Sequence, residues 1–372
     1  PNMSARGQVS YFGMAPSLLS LPLPLLLVLC AVLHPAAASG GDLLMLDRFH
    51  RWMTAHGRTY PSAQEKLRRL EVYRRNVELI EATNRESARL GYELGENEFT
   101  DLTNEEFMAR YTGAAVPRED GDAMADGMGP IITTLAGDVS EGSRASIVDL
   151  NASAVTPPLN FDWRDKGVVT PAKAQGGCGC CWAFATVATV ESLNKIKGGQ
   201  LLDLSEQELL DCDVADQHGC KGGYIEEALN WIKSKGGAVT EATYPYKERQ
   251  DQCKDVGSAT RYGKITGARR VRGEPQMKLA VLERPVGVLI DARGAILQNY
   301  KTGIYKGPCT TMQNHAVVLI GYGVTNTGEE YWILKNSWGS GWGQKGFFFM
   351  RRGADGVKGL CGIAVWGTYP LM

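Results

Sequence analysis

At QGGCGCCWAF, Gln175 to Phe184, a glycine-rich turn runs into an apolar stretch and delivers Cys181 to the first position of an expected helix. A thiol there faces the positive end of the helix dipole, which favours the thiolate. His315 opens the apolar run NHAVVLIGYG, and Asn336 lies in KNSWGSGWG, a strand end among tryptophans and glycines. These three residue types suit acyl transfer: a thiolate attacks a carbonyl carbon, an imidazolium protonates the leaving amine, and a carboxamide holds the ring. Each has a plainer reading alone. His315 then becomes a structural residue before a strand, Asn-Ser-Trp-Gly a turn, and Trp338 and Trp342 core. Cys178, Cys180 and Cys181 as metal ligands are disfavoured, since zinc sites usually pair one Cys-x-x-Cys with a second and no second such pair is present. What favours chemistry is the combination in order: glutamine, cysteine, histidine and asparagine, each in its own motif.

The elements that must position these groups follow from the rest of the chain. At 372 residues it has room for about two or three domains. Lys plus Arg (40) nearly balances Asp plus Glu (41), and no like-charge block occurs, so no electrostatic case exists for nucleic acid or a membrane surface. Met14 to Ala38 is apolar, broken by Pro16, Pro22 and Pro24 and closed by small alanines. A secretory signal over residues 1–38, cut near Ala38, fits this better than a membrane anchor does. Pro1 is not an initiator, so Met3 or Met14 is the expected start. Export permits disulfides, and eight of the nine cysteines lie beyond residue 175.

Leu43, Leu46, Phe49 and Trp52, after a capping Asp42, predict a short amphipathic helix. Ser62 and Glu65 form a capping box before a second helix carrying Leu67, Leu70, Tyr73, Val77 and Ile80, and Thr103 and Glu106 open a third. From about Tyr111 to Pro158 the chain turns to Gly, Ala, Asp, Ser and Pro without periodicity, a protease-accessible linker in which Asn151-Ala152-Ser153 is a glycan acceptor. Beyond it, helices are expected at Cys181 to Ile196, after the Ser205 and Glu208 cap, and at Tyr224 to Ile232. Strands are expected at Val286 to Ile290, Ala316 to Ile320, Tyr331 to Leu334 and Phe347 to Met350. The order predicts an α+β protein with a helical lobe and a sheet-rich lobe flanking a cleft.

Cys178-Gly179-Cys180-Cys181-Trp182, with His315 and Asn336 roughly 130–150 residues on, resembles the signature of papain-like cysteine proteases. Glu65, Arg69, Tyr73, Asn76, Ile80 and Asn84, then Gly95, Asn97, Phe99 and Asp101, resemble the two motifs of the inhibitory proregions of that family, with Tyr73 where phenylalanine is usual. The resemblance implies a papain-like two-lobed fold, the β lobe antiparallel and barrel-like, over residues 155–372. A helical inhibitory prosegment (39–110) and the remainder of the propeptide (111–154) precede it. It implies a monomeric endopeptidase made as a zymogen, without cofactor or metal. Peptides and proteins are its substrates, and it acts in the secretory pathway, outside the cell or in a vacuole or lysosome. The chain shows no Lys-Asp-Glu-Leu end, so retention in the endoplasmic reticulum is not expected.

Carried over residue by residue, the resemblance makes Cys181 the nucleophile, His315 its acid-base partner and Asn336 the ring's holder, with Trp338 shielding that bond. Gln175, with the Cys181 N–H, forms the oxyanion hole. Gly222 and Gly223 pair with an extended substrate, where a β-carbon would block the approach. Tyr224, Leu289, Ala316 and Trp366 surround an apolar pocket that Trp366 makes shallow, disfavouring bulky aromatic side chains. Implied disulfides are Cys178–Cys220, Cys212–Cys253 and Cys309–Cys361; spacing alone leaves fifteen connectivities open. Cys180 stands where the pattern has serine or alanine, as in some plant members, and is expected to be a buried free thiol. The prosegment carboxylates imply acid-assisted processing near Val155, at about pH 4–5 where carboxylates begin to protonate.

Overall fold

The computed structural model describes residues 40–115, 156–215, 217–353 and 356–372, so the expected signal, Asn151 and Val155 lie outside the described residues. The chain forms two units, one ending at Gly57 and one spanning Arg58–Met372.

In the first unit, α1 (Gly40–Ala55) starts before Asp42, which lies inside its first turn. Phe49 and Trp52 are buried and stack at 5.9 Å, but Leu43, expected on the apolar face, is exposed.

In the second unit, the Ser62 side chain accepts from the Glu65 N–H (3.1 Å) and starts α2 (Ala63–Asn84). Leu70, Tyr73, Val77 and Ile80 are buried as the period requires, whereas Leu67 is exposed. A part-buried ion network fills the next stripe. Arg69 reaches Glu65 (2.7 Å), Glu106 (2.8 Å) and the Asp101 carbonyl (2.9 Å). Glu106 closes a complete capping box with Thr103 at the start of α3 (Asn104–Tyr111). Between these helices the chain is not helical throughout, as the sequence predicts, but makes a strand, β1 (Tyr92–Leu94). Asn84 fixes its end by bonding the Leu94 N–H (2.8 Å) and carbonyl (2.9 Å).

The longer helices that follow among the described residues are α4 (Cys181–Ile196), α5 (Glu206–Cys212), α6 (Ile225–Ser234) and α7 (Glu274–Glu283). The α4 side chains from Cys181 to Leu193 are all buried, so this helix is the centre of its lobe. The strands are β2 (Phe161–Asp162), β3 (Gly267–Val271), β4 (Val286–Ile290), β5 (Tyr300–Tyr305), β6 (His315–Val324), β7 (Glu330–Lys335), β8 (Phe347–Arg351) and β9 (Gly367–Leu371). Their order is β1-β5-β8-β7-β6-β4-β9-β3, with β2 on β6, and pairing is antiparallel except between β5 and β8. The class is α+β. One apolar cluster centres on the sheet with Trp332, Trp338 and Trp342, the other on α4 with Trp182 and Val187. The N-terminal β1 extends the sheet by pairing with β5.

Disulfides join Cys178 to Cys220, Cys212 to Cys253 and Cys309 to Cys361, and leave Cys180 and Cys181 as buried free thiols. A polar network crosses between the lobes. Lys173 Nζ meets Glu191 (2.9 Å) and Glu206 (2.7 Å), while Lys335, at the end of β7, donates to Thr170 (2.7 Å), which donates to Glu191 (2.6 Å). Buried charges persist only when paired in this way, so the network pins the strand end that precedes Asn336 to the helical lobe.

Candidate active site

Cys181 is the first residue of α4, His315 the first of β6, and Asn336 the residue after β7. His315 Nε2 lies 2.8 Å from Asn336 Oδ1. An amide oxygen only accepts, so Nε2 carries the proton and Nδ1 carries the lone pair. That Nδ1 is buried and has no hydrogen-bond partner among the described residues. Trp338 stacks on the imidazole at 4.5 Å and 26°, closing the histidine–asparagine bond off from water. Asn336 Oδ1 also accepts from the Ser337 N–H (2.8 Å), which fixes the amide's orientation.

The Gln175 carboxamide and backbone N–H are held at three points. Its Oε1 accepts from Ser337 Oγ (2.7 Å), its Nε2 donates to the Cys178 carbonyl (2.8 Å), and its N–H donates to the Ser337 carbonyl (2.8 Å). One of the two Nε2 hydrogens is thereby used, and the side chain is locked beside the start of α4. Ser337 escaped the sequence reading, although it stands in the same Asn-Ser-Trp-Gly run as Asn336.

The groove over these groups is filled by the chain's own residues Thr112 to Ala115. The N–H groups of Gly113 (3.0 Å) and Ala114 (3.1 Å) both donate to the Asn314 carbonyl. On the other wall, Ala115 N–H donates to the Gly223 carbonyl (2.9 Å) and Gly223 N–H to the Gly113 carbonyl (3.0 Å), with Ala114 and Gly223 in parallel register. The sequence reading placed a free linker from Tyr111; its first residues are instead bound backbone to backbone. Glycine makes the approach possible. A β-carbon on Gly113 would lie 2.1 Å from the Gly179 carbonyl oxygen, and one on Gly222 would lie 2.6 Å from the Gly113 oxygen. Gly222 also has φ of 125°, which other residues rarely adopt.

Upstream residues clamp this segment. Trp338 Nε1 donates to the Tyr111 carbonyl (3.0 Å), and Phe107 meets the Trp338 ring edge-on at 4.8 Å. Gln298, the last residue of the one-turn helix Ala295–Gln298, donates to the Phe99 and Leu102 carbonyls (3.1 Å each) and accepts from Asn97 through its own carbonyl (2.9 Å). The motif residues Asn76, Asn84, Asn97 and Phe99 thus shape the segment and seat it on the sheet lobe.

This covering reverses the electrostatics expected of the helix start. Burial pushes the Cys181 thiol up to about 11, against the opposing pull of the Ala316, Trp182, Gly113 and Ala114 N–H groups. The same burial lowers His315 to about 4, offset only in part by Asn336. With water excluded, desolvation outweighs the dipole and both side chains are neutral in this closed form. His315 then resists acid. Its folded value lies below the ordinary 6.5, so the closed form loses stability as pH falls from about 6.5 toward 4. Glu65 behaves differently: hydrogen bonds from Arg68 and Arg69 hold it at about 2, so its contribution is present above its ordinary value of 4.5 and fades between there and 2. Glu106, despite partial burial, is lowered by the Thr103 N–H and by Arg68 and Arg69.

The proposed pocket residues are partly gathered. Leu289 on β4 faces Ala316 on β6, and the Leu289 N–H donates to the Trp366 carbonyl (3.3 Å). Trp366 is 4% exposed, with the Arg270 and Arg272 guanidinium groups over its ring at 4.4 and 5.2 Å. Ile225, which the sequence reading did not name, belongs to the same apolar cluster, whereas half-buried Tyr224 caps α6 outside it.

Residues 157–371 match the family described as Papain family cysteine protease, and residues 49–107 match the Cathepsin propeptide inhibitor domain. Fruit bromelain of Ananas comosus is 41% identical over 353 residues, covering 94% of this chain and 93% of that protein. A senescence-specific cysteine protease of Arabidopsis thaliana is 40% identical over 88% of this chain and 91% of its own length. Among solved structures, a recombinant stem bromelain precursor aligns with a TM-score of 0.76 at 42% identity, covering 88% of this chain and 99% of that one. The proform of Amb a 11, a ragweed pollen cysteine protease, aligns with a TM-score of 0.72 at 33% identity, over 88% and 94% of the two chains. The chain belongs to the papain family of cysteine proteases, and it is a cysteine endopeptidase zymogen whose prosegment inhibits it from within.

Proposed function

We propose that Cys181 is the nucleophile, His315 its acid-base partner and Asn336 the residue that orients the imidazole. The observation that carries this is the His315 ring, pinned through Nε2 by Asn336 and left with an unpartnered Nδ1 in the site where the Cys181 sulfur is buried. Once the prosegment leaves, water and the helix dipole favour transfer of the thiol proton to Nδ1. The thiolate adds to a peptide carbonyl, and the resulting oxyanion is met by the Cys181 N–H and the second Nε2 hydrogen of Gln175, each such donor being worth about 2.7–4 kcal/mol of barrier in comparable enzymes. The imidazolium protonates the leaving amine, and a water deprotonated by His315 hydrolyses the acyl-enzyme.

Gly222 and Gly223 hold extended substrate as they hold Gly113, by backbone pairing. Leu289, Ala316, Trp366 and Tyr224 receive an apolar side chain. Trp338 acts as a shield rather than a substrate contact. The enzyme works as a monomer on peptide and protein substrates after export, outside the cell or in a vacuole or lysosome. The apolar run from Met14 to Ala38 and the three disulfides support that route. The domain limits that go with this reading are 39–110 for the inhibitory helices, 111–154 for the remaining propeptide and 155–372 for the peptidase.

Three outcomes are expected. In the matured enzyme, iodoacetamide labels Cys181 stoichiometrically and abolishes hydrolysis, and Cys181→Ala lowers kcat at least 10⁴-fold; a Cys181→Ala enzyme within tenfold of wild type rules the assignment out. Gly113→Val breaks the fit of the prosegment, so the uncleaved precursor hydrolyses a peptide substrate at least tenfold faster than wild type; an equally silent variant means that the glycine contact does not carry latency. A peptide-library profile favours valine or proline over phenylalanine two residues before the cleaved bond, and the reverse order refutes the shallow pocket.

A further inference from the structure

Cys180, the spare thiol beside the nucleophile, has a partner that the acyl-transfer scheme does not use. Its Sγ lies 3.0 Å from the Tyr246 hydroxyl, and that hydroxyl donates to the Gln175 carbonyl at 2.6 Å. Tyrosine has a single hydroxyl proton, spent here on Gln175, so the thiol must donate to the tyrosine oxygen. A continuous S–H···O–H···O=C chain therefore runs from residue 180 to residue 175. These are the residues that carry the two oxyanion donors: Gln175 bears one, and the N–H of Cys181 is joined directly to Cys180.

Nothing else fixes the Gln175 peptide from this side. Ser337 and Cys178 hold its carboxamide, and Ser337 takes its N–H, but the carbonyl accepts only from Tyr246 among the described hydrogen bonds. Cys180 is the N-cap of α4 yet makes no side-chain cap bond, its side chain being turned to Tyr246 instead. Tyr246 is itself rigid. Its N–H donates to Glu241 (2.7 Å), and its ring meets Phe184 of α4 edge-on at 5.0 Å.

We propose that Tyr246 and Cys180 are positioning residues that set the spacing between Gln175 and the Cys181 N–H, and so the geometry of the oxyanion hole. The inference rests on the assignment of Gln175 under the proposed function. Burial pushes both the Tyr246 hydroxyl and the Cys180 thiol up, so neither ionises in the working range and the chain of donors stays intact. Oxyanion stabilisation acts on developing charge, so loosening the pair is expected to act on kcat rather than on binding.

The test uses full-length precursors, folded, matured in trans by an added protease and titrated for active sites. Tyr246→Phe should lower kcat for a peptidyl amide about tenfold with KM within about twofold, while Cys181 alkylation by iodoacetamide, which builds no oxyanion, stays within about twofold. Cys180→Ala should lower kcat about threefold to fivefold, and Cys180→Ser, which restores a donor, should recover it. Equal kcat in Tyr246→Phe and wild type, or kcat and alkylation falling together, overturns the inference. Should Tyr246→Phe fail to fold, the Cys180 pair decides: serine above alanine supports it, and serine equal to alanine overturns it. Gln175→Ala separates the two levels. If that variant keeps full kcat, the oxyanion assignment itself is wrong; if it loses kcat while Tyr246→Phe does not, only the positioning claim fails.

Discussion

Backbone meeting backbone, at places where no β-carbon fits, is the constraint on which this molecule depends. Gly113 of the prosegment slides between Gly179 and Gly222, and its carbonyl and its neighbours' N–H groups pair with Gly223 and Asn314. The contact is short enough to exclude water from the Cys181 sulfur and the His315 ring, and exclusion of water is what holds both neutral. The two groups proposed to carry the chemistry are therefore silenced by desolvation, with no need for a blocking side chain.

The rest of the prosegment serves that placement. Its helices α2 and α3 are locked together by Arg69 between Glu65 and Glu106, β1 extends the sheet, and Gln298 grips the turn that leads to the cleft. On the enzyme side, the Lys173 and Lys335 cluster anchors the end of β7 to the helical lobe, so Asn336 arrives at the histidine from a strand with little freedom. Acid acts on the closed form through two groups with different ranges. His315 opposes closure from about 6.5 downward, while Glu65 is held by arginine to about 2 and gives way only below its ordinary range. As pH falls, the stability lost through His315 therefore begins to go before that lost through Glu65.

Much of this was legible in the sequence because it is written locally. The Ser62 and Ser205 caps and the Thr103 capping box start helices where the residues say. The apolar run 286–290 gives β4 with those limits, and β6 extends on both sides of the run expected at 316–320. What escaped is set by distant partners. Tyr92–Leu94 is a strand only because β5 pairs with it, and β3, with two arginines and no apolar alternation, exists because β9 lies beside it. Leu67 follows the apolar period yet is exposed, since Arg69 and its carboxylates occupy the adjoining stripe. Within the site, the motif residues were found by type and order. Ser337, Asn314, Tyr246 and the bound stretch after Tyr111 act through backbone atoms or a single hydroxyl, which leave no spacing pattern to read.

The claim at the centre is that the bound prosegment keeps His315 uncharged. Titration of its imidazole by NMR in the Cys181→Ala precursor, before and after the prosegment is removed in trans, tests this most directly. The account predicts a ring that stays neutral down to about pH 4 while covered and a value higher by more than about one unit once uncovered. A histidine titrating near 6.5 in the intact precursor, or at the same pH in both forms, would contradict it.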